Sequence, residues 1–413
     1  MYKKSLSLAT ALVALAALML AFSACSKSSS ASSAGGASAS SSSAPVTLTV
    51  WESLNGPDEF IKQAGEAYTK QNPNVTIKFV NVELGDSTTQ IALDGPAGVG
   101  PDLFAAPHDM LGNLVSNGYV LPTANPDSAL KGVLGAADKA ITYDGTKYGY
   151  PVSPETYALY YNTALIQENQ VPKTWEDLIT FAKGFKGSGN QRPFMMDVGN
   201  AYYTIIFTTE NNNRLFGPSG TDTTQTYLNT ADAAKGMAYF QTLRKQILDV
   251  NAADMTTAIG DAAFQAGNVA LYISGPWNVN NFTNAGIKFG VAALPSLPSQ
   301  STPAASFSGT RVMFVSAFSK NPDAANAFGA FLMTPEMQQL RANITNTLPA
   351  LNVTTNNPYA PGFLAQLDYA FPMPSIPPMQ KFWDAFNAAS SNIWNGADVQ
   401  KELDAANAAV LAK

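Results

Sequence analysis

The chain has 413 residues, of which 46% are hydrophobic and only 13% are charged, and its formal net charge is −6. A chain of this length is expected to form two or three globular domains. A nucleic-acid-binding face would require a cluster of lysine and arginine, and the sequence contains none. One histidine and one cysteine exclude an intrachain disulfide and a His/Cys metal site, so we expect neither a metal nor a cofactor.

The N-terminus has the pattern of an export signal. A basic start with Lys3 and Lys4 precedes an apolar stretch over 6–22, and small residues then precede Cys25. The cysteine at this point resembles the lipobox of bacterial lipoproteins, which predicts a signal peptide over 1–25 and lipidation of Cys25. The alternative is an uncleaved membrane anchor, since the apolar stretch is nearly long enough to span a bilayer.

Residues 26–45 are almost entirely serine, alanine and glycine. Such a segment buries too little apolar surface to offset its ordering entropy, so we predict a flexible tether. The folded part is then expected to begin near Val46.

Alternating apolar residues predict a strand–helix–strand unit at the start of the folded part. Residues 47–51 alternate as in a half-buried strand, and Pro57 opens a helix that Pro73 ends. Residues 75–79 alternate again, and a short apolar run over 103–106 predicts a third strand. This order favours an α/β fold with a parallel sheet and crossover helices.

The later part of the chain contains further local signals for helices, strands and turns. The predicted features are a hairpin turn at Asp144-Gly145, a helix capped by Thr174, an amphipathic helix over 231–248, a helix over 262–265 with Gly267 as its cap, a strand over 269–273, and a helix from about Met379.

Five motifs occur in order along essentially the whole chain after the predicted tether. They are Gly100-Pro101-Asp102 followed by His108-Asp109; Tyr150-Pro151 followed by Glu155 and Tyr160-Tyr161-Asn162; residues 172–178; Ala263-Phe264 through Gly267 to Gly275-Pro276-Trp277; and Met373-Pro374-Ser375-Ile376-Pro377 with Phe382-Trp383. Together they resemble the extracellular solute-binding proteins of ABC importers, in the maltose-binding protein branch.

The resemblance implies a two-lobed, type II periplasmic-binding-protein-like fold with a ligand cleft between the lobes and three hinge crossings. The N-terminal lobe would comprise 46–153 plus 310–352, and the C-terminal lobe 157–305 plus 358–413. The resemblance implies that the chain is lipid-anchored on the extracellular face of the membrane, or periplasmic. It would bind a maltodextrin-type oligosaccharide as a monomer and deliver it to the permease subunits of an ABC transporter.

The resemblance also implies which side chains bind the sugar. Carboxylates accept hydrogen bonds from hydroxyls, and flat aromatic rings cover the C–H faces of sugar rings. The implied ligand-binding residues are Asp109, Glu155, Tyr202, Trp277, Met373 and Trp383.

Four of these residues have a structural alternative. Asp109 suits a helix N-cap, Glu155 a solvated loop, and Trp277 and Trp383 core packing, while the register between Tyr202 and Tyr203 is open. Three further residues at family positions, Asp102, His108 and Trp51, are expected to be structural.

Some residues depart from the maltose-binding pattern. Ala106 replaces a tryptophan, Met110 a basic residue and Val279 an aromatic one, and no lysine matches within 55–58. Maltose or maltodextrin is the expected ligand, and a different oligosaccharide remains the alternative.

Three other classes of protein compete with this interpretation. A glycoside hydrolase would use Asp109 and Glu155 as its carboxylate pair. A binding protein for a peptide, polyamine or metal, and a surface lipoprotein without a ligand, are the other two. We expect binding without catalysis, because both carboxylates have binding counterparts in the family.

Overall fold

The computed structural model describes residues 44–298 and 300–412. The predicted signal peptide, Cys25 and the tether up to residue 43 lie outside this range. The strands of the described part are β1 (Val46–Glu52), β2 (Val75–Asn81), β3 (Leu103–Pro107), β4 (Thr142–Tyr143), β5 (Thr146–Lys147), β6 (Tyr150–Thr156), β7 (Ala158–Asn162), β8 (Arg192–Met195), β9 (Val269–Ser274), β10 (Phe289–Ala292), β11 (Phe307–Val315) and β12 (Phe371–Pro372).

Helices cover these strands. They are α1 (Pro57–Gln71), α2 (Ser87–Asp94), α3 (Leu111–Ser116), α4 (Pro126–Ala129), α5 (Gly135–Ala140), α6 (Trp175–Gly184), α7 (Ala201–Thr204), α8 (Ala231–Ile247), α9 (Thr257–Gln265), α10 (Val279–Asn284), α11 (Pro322–Leu332), α12 (Pro335–Thr345), α13 (Ala360–Leu367), α14 (Met379–Trp394) and α15 (Val399–Leu411). Within residues 44–298 and 300–412, none of the helices is both long and apolar enough to cross a bilayer.

The first sheet has the order β12-β11-β3-β1-β2, and β6 pairs with β11 on a separate branch. Strands β1 and β2 are parallel, with Val46 opposite Val75 and Glu52 opposite Asn81. Helix α1 joins them and buries Phe60 among its core-facing residues. The predicted strand–helix–strand unit is therefore confirmed.

The second sheet has the order β10-β7-β9-β8. Strand β9 is parallel to β8 and antiparallel to β7, so this sheet is mixed. Each sheet carries its own hydrophobic core. The first core draws on residues between 48 and 152 and between 312 and 351. The second draws on residues between 157 and 307, on Leu348, and on residues between 360 and 410. We call these halves the first lobe and the second lobe; the two-lobed α/β class is confirmed.

Local sequence signals account for several element ends. Thr174 caps α6: its hydroxyl accepts from the Asp177 amide at 3.0 Å, and the Asp177 carboxylate accepts from the Thr174 amide at 3.2 Å. Asp144 and Gly145 both have positive φ in the β4–β5 hairpin, as a type I′ turn requires. The helix predicted from Ala262 starts earlier, at Thr257, because the Thr256 side chain caps the Ile259 amide.

Two long strands pass from one lobe to the other. Strand β6 starts with buried Tyr150 of the first core and leads to Tyr157 of the second. Strand β11 runs back beside it, with Ser308 opposite Thr156 and Gly309 opposite Glu155. The ends of these strands therefore form the floor between the lobes.

Candidate ligand-binding cleft

A cavity of about 650 Å³ lies over this floor. Its lining includes all six residues that the sequence singled out for ligand binding, and these come from both lobes and from the paired strands. They are Asp109, Glu155, Tyr202, Trp277, Met373 and Trp383. Residues up to 274 positions apart in sequence thus share one surface.

Asp109 lies in a single 3-10 turn, His108–Met110, between β3 and α3. Its side chain is 2% exposed and caps no helix, so the N-cap alternative is wrong. Oδ2 accepts a hydrogen bond from Trp383 Nε1 at 3.2 Å, whereas Oδ1 is buried and has no hydrogen-bond partner among the described residues. Burial raises the pKa of Asp109 to about 7. An acceptor that lacks a donor is therefore presented inside the cleft.

The second lobe presents a continuous aromatic wall. Trp277 lies 6.1 Å from Tyr202 between ring centroids, Tyr202 lies 6.3 Å from Phe307, and Phe307 lies 6.1 Å from Trp383. Phe307 is fully buried behind the half-buried Tyr202, Trp277 and Trp383. Such a wall offers flat apolar faces to a ligand while its backing prevents the rings from moving.

Tyr202 lines the cavity, whereas its neighbour Tyr203 does not. Tyr203 is 3% exposed and packs edge-on against Tyr157 in the second core, with ring centroids 5.1 Å apart. Helix α7 is only four residues long, so the two adjacent side chains diverge from it at once. The sequence could not distinguish the two tyrosines, because both are aromatic and local periodicity is too short to orient such a helix.

Glu155 belongs to a buried charge cluster. Arg311 Nη1 donates to Glu52 Oε2 at 2.5 Å, and Arg311 Nε lies 3.9 Å from Glu155 Oε1. Glu155 is 8% exposed and lies in strand β6, so the solvated-loop alternative for it is wrong. The guanidinium offsets the charge of both carboxylates, which allows Glu155 to lie in the cleft floor.

His108 is a structural residue, as expected. Its Nδ1 accepts from the Thr310 amide at 3.1 Å, and therefore its Nε2 carries the proton that is donated to the Met373 carbonyl at 3.1 Å. Burial lowers the pKa of His108 to about 4, which keeps the ring neutral. The histidine thereby holds the Met373 segment against the first lobe.

The remaining expectations concern Asp102 and Trp51. Asp102 Oδ2 accepts from the Thr49 amide at 2.8 Å, and Oδ1 accepts from Ser319 Oγ at 2.5 Å. Trp51 is 3% exposed and packs edge-on against Phe104. Both structural assignments are confirmed.

Sequence reasoning missed several cleft residues. Arg311, Asp261 and Asn278 all line the cavity. Glu52, which pairs with Arg311, is 259 positions away from it in sequence. One signal was present: Arg311 is the only charged residue in strand β11, and a buried charge requires a partner. Within residues 44–298 and 300–412, no group of three or more His, Cys, Asp or Glu side chains is arranged to hold a metal ion.

The comparison with known families decides the class of this protein. The model of the bacterial extracellular solute-binding protein family matches residues 63–360. The chain belongs to this family. A galactooligosaccharide-binding protein of Bacillus subtilis is 30% identical to this solute-binding protein over 87% of each chain. A maltooligosaccharide ABC transporter solute-binding lipoprotein of Streptococcus pneumoniae is also 30% identical, over 88% of this chain and 87% of that one.

The same class emerges from the solved structures. A cyclo/maltodextrin-binding protein complexed with maltotetraose superposes on this solute-binding protein with a TM-score of 0.74 and 31% identity, covering 90% of this chain and 97% of that chain. The family and these relatives are binding proteins, which favours the binding interpretation over the glycoside hydrolase.

Proposed function

We propose that this solute-binding protein is the lipid-anchored binding component of an ABC sugar importer and that it holds a maltodextrin-type oligosaccharide in its cleft. The observation that carries the proposal is the pairing, in one cavity, of half-buried rings with buried carboxylates. Tyr202, Trp277 and Trp383 cover the apolar faces of sugar rings, and Asp109 and Glu155 accept hydrogen bonds from the hydroxyls.

The lobes in this proposal have the boundaries given above, with crossings at 154–156, 306–309 and 353–358. Apart from Leu348, which packs in the second core, the distribution of the two cores supports these boundaries, as does the pairing of β6 with β11 where two crossings lie side by side. The two-residue strand β12 joins β11 at Phe307 and Ser308, next to the same crossings. Rotation about these strands opens the cleft to admit a sugar and then returns Asp109 to the aromatic wall around it.

The anchor in this proposal is Cys25, and the serine-rich tether allows the folded part to move near the membrane. The partners are the permease subunits of the transporter, and the protein acts as a monomer on the outer face of the membrane or in the periplasm. The family description and the lipoprotein name of the streptococcal relative support this location. The sugar leaves unaltered, since the protein performs no catalysis and uses no cofactor.

One specific observation favours a second ligand. The Bacillus relative is a galactooligosaccharide-binding protein at the same identity as the maltooligosaccharide one. Ala106 is also fully buried, so the first lobe has no stacking ring at a position where maltose binders carry tryptophan. A galactooligosaccharide is therefore the competing ligand.

The test is a titration of chain 26–413 with maltose, maltotriose, trehalose, glucose and a β-galactotriose. Binding is measured by intrinsic tryptophan fluorescence and by calorimetry. We expect saturable binding of maltotriose that Trp277→Ala weakens at least about tenfold, since a stacking platform is lost. The control is Tyr369→Ala, which truncates an exposed ring outside the cavity and should bind as the wild type. Binding of the galactotriose alone would select the second ligand, and equal binding by both variants would contradict the cleft.

A further inference from the structure

One carboxylate in the cleft lies outside the set of predicted binding residues. Asp261 is on α9 in the second lobe, is half-buried, and lines the same cavity as Trp277. Its Oδ1 accepts two hydrogen bonds, from Tyr272 Oη at 2.8 Å and from Asn278 Nδ2 at 2.6 Å. Among the described residues no hydrogen bond reaches Oδ2, so the two oxygens have different environments.

The approach of Tyr272 to Asp261 depends on a glycine. A Cβ placed at Gly260 would lie 2.6 Å from Tyr272 Cε2, which is shorter than any ordinary contact. Helix α9 therefore lies against the Tyr272 ring only because residue 260 has no side chain. This close packing fixes the height of Asp261 relative to the end of β9.

The second partner of Oδ1 holds the turn that carries Trp277. Asn278 Nδ2 donates to Ser274 Oγ at 2.9 Å as well as to Asp261, and Asn278 Oδ1 accepts from Asn281 at 2.8 Å. At the other end of the turn, Tyr160 Oη donates to the Gly275 carbonyl at 2.6 Å. Oδ1 of Asp261 thus stabilises the turn that presents the indole.

We propose that Asp261 is a sugar-binding residue in which Oδ1 positions the Trp277 turn and Oδ2 accepts a hydroxyl of the sugar ring that stacks on Trp277. This inference rests on the proposed function. Stabilising the turn requires one oxygen, and the carboxylate of this cavity-lining residue has a second oxygen that none of these hydrogen bonds uses. Burial raises the pKa of Asp261 although the Tyr272 and Asn278 donors oppose this, as expected for an acceptor with too few donors.

The ligand region that Asp261 serves follows from its place in the fold. Asp109 and Trp383 meet at one part of the cavity, whereas Asp261 and Trp277 belong to α9 and the turn after β9. A neutral, hydroxylated ring on Trp277 would donate to Oδ2. An anionic sugar would be repelled at Oδ2, because Asp261 is itself a carboxylate and the guanidinium of Arg311 in the same lining is already paired with Glu52 and close to Glu155.

The experiment is a double-mutant cycle between the protein and the sugar. Asp261→Asn keeps the shape of the side chain and an acceptor for Tyr272 and Asn278, and it removes the charge at Oδ2. The probes are maltotriose and its monodeoxy analogues, or the galactotriose series if the wild type prefers that sugar, titrated by calorimetry into chain 26–413. The control is Tyr272→Phe, which removes a donor to Oδ1 and leaves Oδ2 intact.

We expect one deoxy analogue to bind the wild type about 10- to 100-fold more weakly than the parent sugar, as a hydrogen bond to a charged group predicts. Asp261→Asn should weaken the parent sugar by a similar factor and abolish most of that discrimination, while Tyr272→Phe should retain it. If Asp261→Asn does not fold by circular dichroism, Asp261→Ser takes its place in the cycle.

Three outcomes would overturn the inference. Unchanged affinity in Asp261→Asn, or weaker affinity with full discrimination retained, would leave the proposed function standing and reduce Asp261 to support of the turn. A wild type that binds no sugar of the panel would overturn the proposed function and this inference with it.

Discussion

A carboxyl group that is 2% exposed and has one oxygen without a donor, as Asp109 has, weakens the fold whenever it ionises. The indole of Trp383 compensates only one of the two oxygens. A ligand hydroxyl would supply the missing hydrogen bond. The unpaired oxygen therefore lowers the stability of the ligand-free protein and favours binding of the ligand. The same reasoning explains why the pKa of Asp109 rises to about 7 while that of the neighbouring His108 falls to about 4: burial disfavours the charged form of each.

The raised pKa of Asp109 predicts an unusual pH dependence of stability. Between the unfolded value of 3.8 and the folded value of about 7, the unfolded chain releases a proton that the folded chain keeps. The contribution of Asp109 to the free energy of unfolding should therefore fall as pH rises through this window, by up to about 4 kcal/mol at 1.36 kcal/mol per pKa unit. The lowered pKa of His108 acts in the opposite direction between about pH 4 and 6.5, so the contribution of Asp109 is read from a comparison with a variant that keeps His108.

The side chain of Asp109→Asn stays neutral over this whole pH range. The variant should therefore have a higher free energy of unfolding than the wild type at pH 8, and the difference should shrink toward pH 4. Thermal unfolding of both proteins in the absence of sugar measures this. A difference in melting temperature that is the same at pH 4 and pH 8 would contradict the burial of Asp109.

At the residue scale, the sequence was sufficient for groups whose chemistry stands out locally. The pairing of a carboxylate with tryptophans was recognised by resemblance, and all six residues line one cavity. The partner of Arg311 was not predicted, because Glu52 lies 259 positions earlier and no local pattern reports on such a pair. Asp261 was not singled out because an acidic residue on an amphipathic helix usually faces solvent.

Helix α8 illustrates how packing overrides the preference of a single element. Gly236 lies inside this helix, where alanine would be favoured by about 1 kcal/mol on propensity alone. A Cβ at Gly236 would lie 1.7 Å from the Phe207 carbonyl oxygen, which is backbone and cannot rotate away. The glycine therefore marks a close approach between α8 and the segment after α7.

A matched pair of glycine variants tests this packing. Gly236→Ala should destabilise the protein by several kcal/mol, since α8 must move away from the Phe207 segment. Gly184→Ala, at the end of α6, places its Cβ where no atom lies within 4 Å and should be neutral or stabilising by up to about 1 kcal/mol. Chemical denaturation of both variants gives the comparison, and equal effects would show that α8 is not packed in this way.

At the scale of helices and strands, local signals predicted that an element exists, and of which type, better than they predicted where it begins and ends. Periodicity and capping residues predicted β1, α1, the start of α6 and the hairpin β4–β5, because these depend on neighbouring residues. The start of α9 was placed too late, since the Thr256 cap precedes a polar first turn that shows no apolar period. The position of β11 between β3 and β6 follows from pairing across more than 150 residues, which periodicity does not contain.

On the scale of the whole molecule, contacts between the lobes should set the affinity without touching the sugar. Asn280 on α10 donates to the Ile344 carbonyl at 2.8 Å and accepts from Asn346 Nδ2 at 2.6 Å. In the proposed lobe division these groups belong to opposite lobes, and Asn280 is not part of the cavity lining. Together with the hydrogen bond between Trp383 and Asp109, these contacts join the proposed lobes across the cleft, and they therefore stabilise this arrangement, which we call the closed form, relative to one in which the lobes are apart.

Removal of this contact should weaken sugar binding indirectly. Asn280→Ala deletes two uncharged hydrogen bonds of about 1 kcal/mol each, so the dissociation constant should rise up to about thirtyfold through a less stable closed form. Asn284→Ala on the same helix truncates an exposed side chain and is the control. Calorimetry with small-angle scattering checks this, and an unchanged affinity in Asn280→Ala would show that the contact is irrelevant to closure.

If the proposed function is right, the cleft holds an oligosaccharide reversibly and returns it unaltered. Equilibrium dialysis of chain 26–413 against maltotriose and against β-galactotriose, followed by chromatography of the recovered sugar, measures both properties at once. We expect saturable binding at one site per chain and recovery of the intact trisaccharide after prolonged incubation. Shorter sugars in the recovered fraction would show hydrolysis instead of binding alone. The absence of saturable binding to either sugar would show that the aromatic wall and carboxylates serve another ligand, and either result would overturn the proposed function.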